Sequence, residues 1–156
     1  MVKGTGAADR KFMRAALAEA RKAARAEEVP VGAVVVREGQ IIARGRNRIR
    51  ELKDPSAHAE VLALRAAGKA LRHERLLDTT LYTSLEPCAM CAGAIVLGRV
   101  PRVVYGAVDP KAGAGGSVMD VLRHRALNHR ADVAGGVLAA TSRRLLQRFF
   151  KARRGP

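Results

Sequence analysis

The two stretches that decide how this chain is interpreted are His58-Ala59-Glu60 and Pro87-Cys88-Ala89-Met90-Cys91. One imidazole and two thiols are three possible zinc ligands, and the carboxylate of Glu60 is left over. A structural zinc site is closed by four protein ligands, whereas a catalytic site keeps its fourth position for water or substrate. Three ligands and a spare carboxylate therefore predict a catalytic Zn²⁺, one per chain, with a glutamate that transfers protons.

Each part of this pattern also has a simpler explanation. His58 alone could be an ordinary histidine at the start of a helix. Two cysteines separated by two residues could form a redox disulfide, be buried thiols or be half of a zinc knuckle. A knuckle needs two further ligands, and none of the other histidines forms a tight pair with a ligand-type residue. The combined pattern is far more specific than its parts and favours catalytic zinc.

Composition and charge limit the class of the protein. The 156 residues are within the size of one domain, 1–156, and 48% of them are hydrophobic. The 29 lysines and arginines exceed the 14 aspartates and glutamates, which gives a formal net charge of +15. Such an excess is typical of a protein with a polyanionic partner, most simply a nucleic acid, although an arginine-rich proteome would also produce it.

The sequence gives no sign of export or of a membrane partner. Its first nine residues are polar and glycine-rich and lack the apolar segment of a signal peptide. No apolar run is long enough to cross a bilayer. Thiols stay reduced in the cytoplasm and are free to bind metal there. We therefore expect a cytoplasmic protein.

The first part of the chain is predicted to contain a helix and a hairpin. Residues 1–8 are expected to be disordered, and Asp9 is expected to cap the first helix. The apolar run 31–36 is predicted to be a buried strand, because it is short and rich in β-branched residues. A turn at 38–39 connects it to the returning strand.

The rest of the chain is predicted to alternate helices and strands. A polar loop is expected over 45–55 and a second helix from Ser56, with the histidine and glutamate of the first motif in its first turn. Pro87 is well placed at the start of a third helix, where its missing N–H costs nothing, and the two cysteines would then share one helix face. Further strands are predicted near 79–84, 102–108 and 132–133. The last helix ends in the basic segment 150–156.

This order of elements predicts an α/β fold with three layers, α/β/α. The hairpin supplies an antiparallel pair of strands. Strands that are joined through helices should run parallel by right-handed crossovers. We therefore expect a mixed five-stranded sheet with one antiparallel hairpin and parallel remaining strands.

The chain resembles the bacterial tRNA-specific adenosine deaminases, which belong to the zinc-dependent cytidine/deoxycytidylate deaminase superfamily. The zinc motif is a signature of nucleobase deaminases, and the resemblance is also carried by 28–34, 81–94, 109–117 and 149–154. It implies a cytidine-deaminase-like fold, a homodimer and a tRNA anticodon stem-loop as partner. The implied reaction converts the wobble adenosine of an arginine tRNA with an ACG anticodon to inosine.

The resemblance also implies roles for single residues, position by position. His58, Cys88 and Cys91 would hold zinc. Glu60 would move protons while zinc hydroxide attacks C6 of the adenine ring. The residues implied to contact the base, its ribose or the RNA are Val31, Asn47, Asp109, Lys111, Phe149 and Arg153.

Alternative interpretations remain for the function and for single residues. A free-base or nucleoside deaminase, of the guanine or cytosine type, would use the same chemistry but would not need a net charge of +15. A zinc-stabilised RNA-binding subunit without catalysis would tend to lose Glu60, which is present. Asn47 could be a turn residue, Lys111 a solvated charge and Asp109 the cap of its glycine-rich loop. Phe149 could belong to the core.

Overall fold

The computed structural model describes residues 6–154. The helices are α1 (Ala7–Arg25), α2 (Ile49–Leu52), α3 (Ala59–Leu71), α4 (Ala89–Leu97) and α5 (Ala139–Arg154). The strands are β1 (Gly32–Arg37), β2 (Gln40–Arg46), β3 (Thr79–Leu85), β4 (Arg102–Ala107) and β5 (Asp132–Ala134). Within the described residues, no helix combines the length and the apolar character needed to span a membrane.

The strands form one mixed sheet in the order β2-β1-β3-β4-β5. β1 pairs antiparallel with β2 and with β3, whereas β3–β4 and β4–β5 are parallel pairs. β2 and β3, which α3 connects, therefore run in the same direction on either side of β1. The predicted mixed five-stranded sheet, with its hairpin and its parallel remaining strands, is confirmed.

Alternate residues of the central strands supply two apolar cores, one on each face of the sheet. Val34, Val36 and Tyr82 point to the face covered by α1, where they pack with Phe12 and Leu17. The opposite face is covered by α3 and α4. Its core includes Val35, Leu81, Val103, Ala63 and Ile95. Helices therefore lie on both faces, and the predicted three layers are confirmed.

Two glycines let the helices approach the sheet backbone closely. A Cβ at Gly32 would lie 2.1 Å from the carbonyl oxygen of Ala16 in α1. A Cβ at Gly45 would lie 2.3 Å from the carbonyl oxygen of Ala59. Because α3 packs directly on β2 at Ala59, the start of this helix is fixed against the sheet.

The start of α1 differs from the sequence prediction. Asp9 does not cap the helix, which begins at Ala7 and has Gly6 in the N-cap position. Asp9 is instead buried, and its carboxylate accepts hydrogen bonds from the Tyr82 hydroxyl at 2.7 Å and from the Arg102 guanidinium at 2.8–2.9 Å. These partners come from β3 and β4, so nothing near Asp9 in the sequence reveals them. Of the segment 1–8, residues 7–8 lie in α1 and residues 1–5 lie outside the described part.

The predicted polar loop 45–55 contains a short helix, α2. The carboxylate of the buried Glu28 accepts hydrogen bonds from the backbone N–H groups of Arg50 at 3.1 Å and Glu51 at 2.8 Å. These two groups belong to the first turn of α2, where N–H groups lack partners inside the helix. A carboxylate more than twenty residues earlier in the chain thus stabilises a helix that local sequence does not predict.

Candidate metal centre and active site

The N-termini of α3 and α4 bring the three predicted metal ligands together. His58 directly precedes α3, Cys88 directly precedes α4, and Cys91 lies in the first turn of α4. Nδ1 of His58 is 3.6 Å from Sγ of Cys88 and 3.4 Å from Sγ of Cys91. The three ligand atoms all lie within 4.8 Å of one another. Helix N-termini carry partial positive charge, which favours the ligating thiolate form of cysteine.

The positions of these residues relative to their helices differ slightly from the sequence prediction. α3 begins at Ala59, not near Ser56, because the carbonyl of Asp54 and its side chain form a turn that ends at Ser56 and Ala57. α4 begins at Ala89, so Pro87 lies before the helix and Cys88 is its N-cap residue. The two cysteines are therefore three residues apart at the start of α4, one in the N-cap position and one in the first turn.

The donor set fits a zinc ion. Tetrahedral coordination with Zn–S near 2.3 Å and Zn–N near 2.05 Å places nitrogen and sulfur ligands about 3.5–3.6 Å apart, and the two observed distances are 3.4 and 3.6 Å. Thiolates and imidazole are ligands that zinc prefers. Among the described residues, no fourth protein ligand belongs to this cluster. A metal held here would keep one coordination position for a small molecule.

Hydrogen bonds among the three ligand side chains shift their pKa values. Hydrogen bonds from the Cys91 thiol and the His58 ring lower the pKa of Cys88 to about 3. The hydrogen bond to Cys88, together with burial, raises the pKa of Cys91. The pKa of His58 is raised because its ring also hydrogen-bonds to Cys88. A metal ion must therefore displace the proton of Cys91 when it binds.

Glu60 lies beside this cluster but is not a member of it. It is in the first turn of α3 and is only 4% exposed. Burial raises the pKa of Glu60 to about 7, although a backbone hydrogen bond and the charge of His58 act in the opposite direction. A carboxyl group with a pKa near neutrality can both accept and donate a proton at physiological pH.

His58, Glu60 and Cys88 form part of the wall of a cavity of about 240 Å³. The apolar part of the wall includes Val29, Val31, Ile49 and Leu85. The polar part includes Asn47, Glu86 and Asp109. Apolar walls with a few convergent polar groups are typical of sites for small organic molecules.

Val31 and Asn47 both line this cavity and are both buried. The Asn47 side-chain oxygen accepts a hydrogen bond from the backbone N–H of Ala59 at 2.8 Å. Asn47 thus accepts from one of the free N–H groups at the start of α3. It thereby positions the helix that begins after His58 and contains Glu60. No described residue accepts a hydrogen bond from its NH₂ group, which leaves that donor for a molecule in the cavity.

The loop after β4 holds Asp109 in the cavity wall and leaves Lys111 outside it. The Asp109 carboxylate accepts hydrogen bonds from the backbone N–H groups of Lys111 at 3.0 Å and Ala112 at 3.2 Å. Asp109 therefore caps its loop, as one of the two interpretations expected. The Lys111 side chain is exposed.

Phe149 and Arg153 lie away from the cavity, on α5. The Arg153 guanidinium stacks 4.5 Å from the centre of the Phe149 ring and donates a hydrogen bond to the carbonyl of Glu27 at 2.6 Å. Together with Ala24 these residues line a different groove, at the C-terminal end of α1. Neither of these two predicted RNA-contacting residues lines the cavity that contains His58 and Cys88.

Glu86 is a site residue that the sequence analysis missed. It is 1% exposed, and each carboxylate oxygen accepts two hydrogen bonds. The donors are the backbone N–H groups of Asp109, Gly115 and Ser117 and the hydroxyl of Ser117. Glu86 thus ties the residues before Cys88 to the loop that carries Asp109. The sequence offered one signal for a role of Glu86: this carboxylate stands between a predicted buried strand and the pair Pro87-Cys88.

Comparison with known proteins agrees with this geometry. Residues 7–154 match the MafB19-like deaminase family. The chain is 49% identical, over 144 residues, to the tRNA-specific adenosine deaminase of Bacillus subtilis (strain 168), with 92% of this chain and 89% of that protein covered. The chain belongs to the tRNA-specific adenosine deaminase family. The predicted resemblance is thereby confirmed, and so is the predicted enzyme class, a hydrolytic deaminase.

Solved structures of this family and of a neighbouring deaminase share the fold. A structure from a study of A-to-I editing by tRNA:A34 deaminases at the wobble position of tRNA matches with a TM-score of 0.84 and 47% identity, over 87% of this chain and 99% of that one. A guanine deaminase from Nitrosomonas europaea matches with a TM-score of 0.79 and 27% identity, over 96% and 86%. The cytidine-deaminase-like fold is therefore confirmed.

Proposed function

We propose that this chain deaminates adenosine to inosine at the wobble position of tRNA, with zinc as its cofactor and an arginine tRNA bearing the ACG anticodon as its substrate. The observation that carries the proposal is a cluster of three possible metal ligands with a buried carboxyl group, Glu60, at one cavity. Membership of the family supports the RNA substrate. The net charge of +15 supports a polyanionic partner.

In this proposal His58, Cys88 and Cys91 hold one zinc ion. A bound zinc ion would act as a Lewis acid. It would lower the pKa of a water molecule at its open coordination position to about 7. Glu60 accepts a proton in the cavity, delivers it to N1 of the purine and then helps to protonate the departing amine. Its raised pKa suits both transfers, and a neighbouring dication would favour its ionised form as the starting state.

The cavity wall would position the target base. Val31 and its apolar neighbours pack against the purine ring, and the free NH₂ group of Asn47 donates a hydrogen bond to the bound nucleoside. Asp109 lies at the wall, beside the ribose or backbone. Lys111, Phe149 and Arg153 contact the RNA outside the cavity, where their exposed positive charge or aromatic surface meets phosphates and bases.

We further propose that the chain is a single deaminase domain, 1–156, that works in the cytoplasm as a homodimer. A groove of about 500 Å³ between α3 and α4 has a mainly apolar lining that includes Val61, Leu64 and Ala94. Leu97, which also lines this groove, is 77% exposed. Exposed apolar surface of this kind is typical of contact surfaces between chains. Thiols that stay reduced in the cytoplasm suit the Cys88–Cys91 pair.

Guanine deamination is the second candidate, because the Nitrosomonas europaea guanine deaminase has the same fold. That structure is 27% identical to this chain, and a guanine deaminase from Bacillus subtilis is 43% identical but covers only 69% of it. The tRNA-specific relatives are 44–49% identical over 90–92% of this chain. A free base also gives no physical role to the large positive charge. The adenosine reaction on tRNA is therefore the better supported of the two.

One assay separates these candidates. Purified protein is incubated with an anticodon stem-loop of arginine tRNA that carries ACG, and inosine is detected by sequencing. Free adenosine, cytidine and guanine are assayed in parallel at matched enzyme concentrations. We expect inosine at the wobble position and very slow turnover of the free compounds, since contacts with the loop supply the energy that positions the base. Fast turnover of guanine without editing would overturn the proposal.

A further inference from the structure

A strongly basic groove of about 500 Å³ lies beside the active site. It crosses the edge strand β2, from α1 on one face of the sheet to α3 on the other. Its cationic side chains are Lys22, Arg44, Arg46, Arg48, Arg65 and Lys69. Glu19 is the acidic residue in its lining. We call these residues the basic groove.

Four of these six cations form no close ion pair with the described residues. Lys22 is paired with Glu19 at 3.0 Å, and Arg48 is paired with Glu51 at 2.6 Å. Within residues 6–154, the other four cations have no carboxylate oxygen within 4.0 Å. The buried Nε of Arg48 also has no hydrogen-bond partner in this part of the chain. Like charges that surround one groove repel each other, and a bound polyanion would relieve that repulsion.

Backbone geometry explains how the charges surround the sheet edge. Arg44 and Arg46 are two residues apart on β2 and share one face. Gly32, which pairs with Arg46, faces α1, so both arginines lie on the α1 side. Arg65 and Lys69 are four residues apart and share a face of α3, on the other side of the sheet. The basic groove thus presents cations from both helical layers.

The basic groove and the catalytic cavity are lined by consecutive residues of the chain. Asn47 lines the cavity, and its two neighbours in the chain, Arg46 and Arg48, line the basic groove. Nucleotides that flank the one in the cavity would therefore lie within reach of the groove. We infer that the basic groove binds the phosphate backbone of the substrate RNA, outside the nucleotides held at the cavity. This inference rests on the proposed function.

Protection of the sheet edge is the competing explanation. β2 is an edge strand, and charged side chains on edge strands prevent pairing between copies of a protein. That explanation requires charge on β2 alone. It gives no reason for the charges that α3 contributes, and it predicts self-association, not weaker RNA binding, when the arginines are neutralised.

The test compares two triple variants with the same change in charge. The groove variant is Arg44→Gln/Arg46→Gln/Lys69→Gln. The control variant is Arg14→Gln/Arg75→Gln/Arg125→Gln, which neutralises three exposed cations outside the groove. Binding of the ACG stem-loop is measured by fluorescence anisotropy between about 50 and 200 mM salt, a range over which phosphate contacts change affinity steeply. Zinc content and urea unfolding establish that both variants are folded.

We expect the groove variant to lose about 2 units of slope in the plot of log K against log salt, since each lost phosphate contact removes roughly 0.7. The control variant keeps the wild-type slope. Equal slopes for the two variants would overturn the inference, as would self-association of the groove variant in light scattering with unchanged RNA binding. Editing by the wild-type protein is scored separately, so a protein that binds RNA through the groove but makes no inosine contradicts only the proposed function.

Discussion

Two glutamates at the active site show how environment decides the role of a side chain. Glu60 and Glu86 are 4% and 1% exposed. Burial raises the pKa of Glu60 to about 7. Burial acts in the same direction on Glu86, but hydrogen bonds from Ser117, Asp109 and Gly115 outweigh it, and the pKa of Glu86 is lowered. Glu60 is therefore suited to move protons, and Glu86 to remain a fixed anion that holds a loop.

The change Glu60→Gln tests the proton shuttle. We expect the variant to keep its zinc, because Glu60 is outside the ligand cluster. Editing of the stem-loop should fall roughly 100- to 10,000-fold, the range typical of general acid–base catalysis. Metal analysis and single-turnover rates provide the measurement. Glu38→Gln, at an exposed glutamate in the turn between β1 and β2, is the matched control and should edit at the wild-type rate. An equally active Glu60→Gln protein would show that another group moves the protons.

The change Glu86→Gln tests the loop anchor through its pH dependence. At pH 7 we expect the free energy of unfolding to fall by about 1–3 kcal/mol, because a glutamine NH₂ cannot accept the hydrogen bonds that a carboxylate oxygen accepts. The pKa of Glu86 is lower in the folded state than its ordinary value of 4.5. Its stabilising effect is therefore present above pH 4.5 and is lost as the pH falls through the folded pKa.

Urea unfolding of wild type and Glu86→Gln at several pH values measures this difference. We expect the two stabilities to converge below pH 4.5. The Glu38→Gln control should show no such convergence. A constant difference across the pH range would mean that the Glu86 carboxylate does not stabilise the loop through its charge.

At the scale of elements, the active site depends on how α3 begins. The oxygen of Asn47 accepts a hydrogen bond from Ala59, so one residue of the β2–α2 connection both lines the cavity and caps the helix that carries Glu60. Two substitutions separate these roles. Asn47→Asp keeps an oxygen acceptor at the helix N-terminus but removes the NH₂ donor, whereas Asn47→Ala removes both.

We expect Asn47→Ala to lose about 0.5–2 kcal/mol of unfolding free energy, the usual cost of a lost cap, together with editing activity. Asn47→Asp should stay close to wild type in stability and still edit poorly, with the loss seen in KM for the stem-loop. Chemical denaturation and steady-state kinetics measure the two effects. An aspartate variant with wild-type KM would restrict Asn47 to a structural role.

The packing of α1 on β1 gives a matched pair of glycine substitutions. Gly32→Ala would place a Cβ 2.1 Å from the Ala16 carbonyl and 2.4 Å from the Ala20 nitrogen, so the helix must move. We expect the free energy of unfolding to fall by about 1–3 kcal/mol, as at other overpacked sites.

Gly93 in α4 is the matched site with space for a side chain: apart from its chain neighbours and the backbone of its own helix, no atom would lie within 4 Å of a Cβ there. Gly93→Ala should therefore gain about 0.5–1 kcal/mol from the better helix propensity of alanine. Thermal unfolding of both variants measures these changes. Destabilisation of the protein by both substitutions would contradict the packing argument.

At the scale of the whole molecule, the proposed homodimer predicts a difference between two exposed leucines. Leu97 lines the apolar α3–α4 groove and is 77% exposed, whereas Leu77 lies outside it and is 54% exposed. A glutamate at the centre of a chain–chain contact would bury an unpaired charge. We expect Leu97→Glu to sediment as a monomer and Leu77→Glu to keep the wild-type mass. Equal behaviour of the two variants in sedimentation would place the contact elsewhere.

Local sequence determined the elements whose causes are local. The β-branched run of β1, the turn at Glu38-Gly39 and the helical periodicity of α1 predict the hairpin and its neighbouring helix close to their observed positions. Both residues of the turn have positive φ, as a two-residue hairpin turn requires. The clustering of His58, Cys88 and Cys91 was also predictable, because zinc chemistry depends on ligand types and on their spacing along the chain.

Tertiary structure decided whatever depends on partners distant in the sequence. Glu86 has its donors more than twenty residues later, Glu28 stabilises α2 from a similar distance, and Asp9 is held by Tyr82 and Arg102. Local pattern cannot reveal these contacts, because a carboxylate looks the same in sequence whether solvent or buried N–H groups surround it. The packing of helices on the sheet, not residue type, also decides which charges and rings become neighbours. It places Phe149 in a groove other than the cavity and brings the cations of the basic groove together.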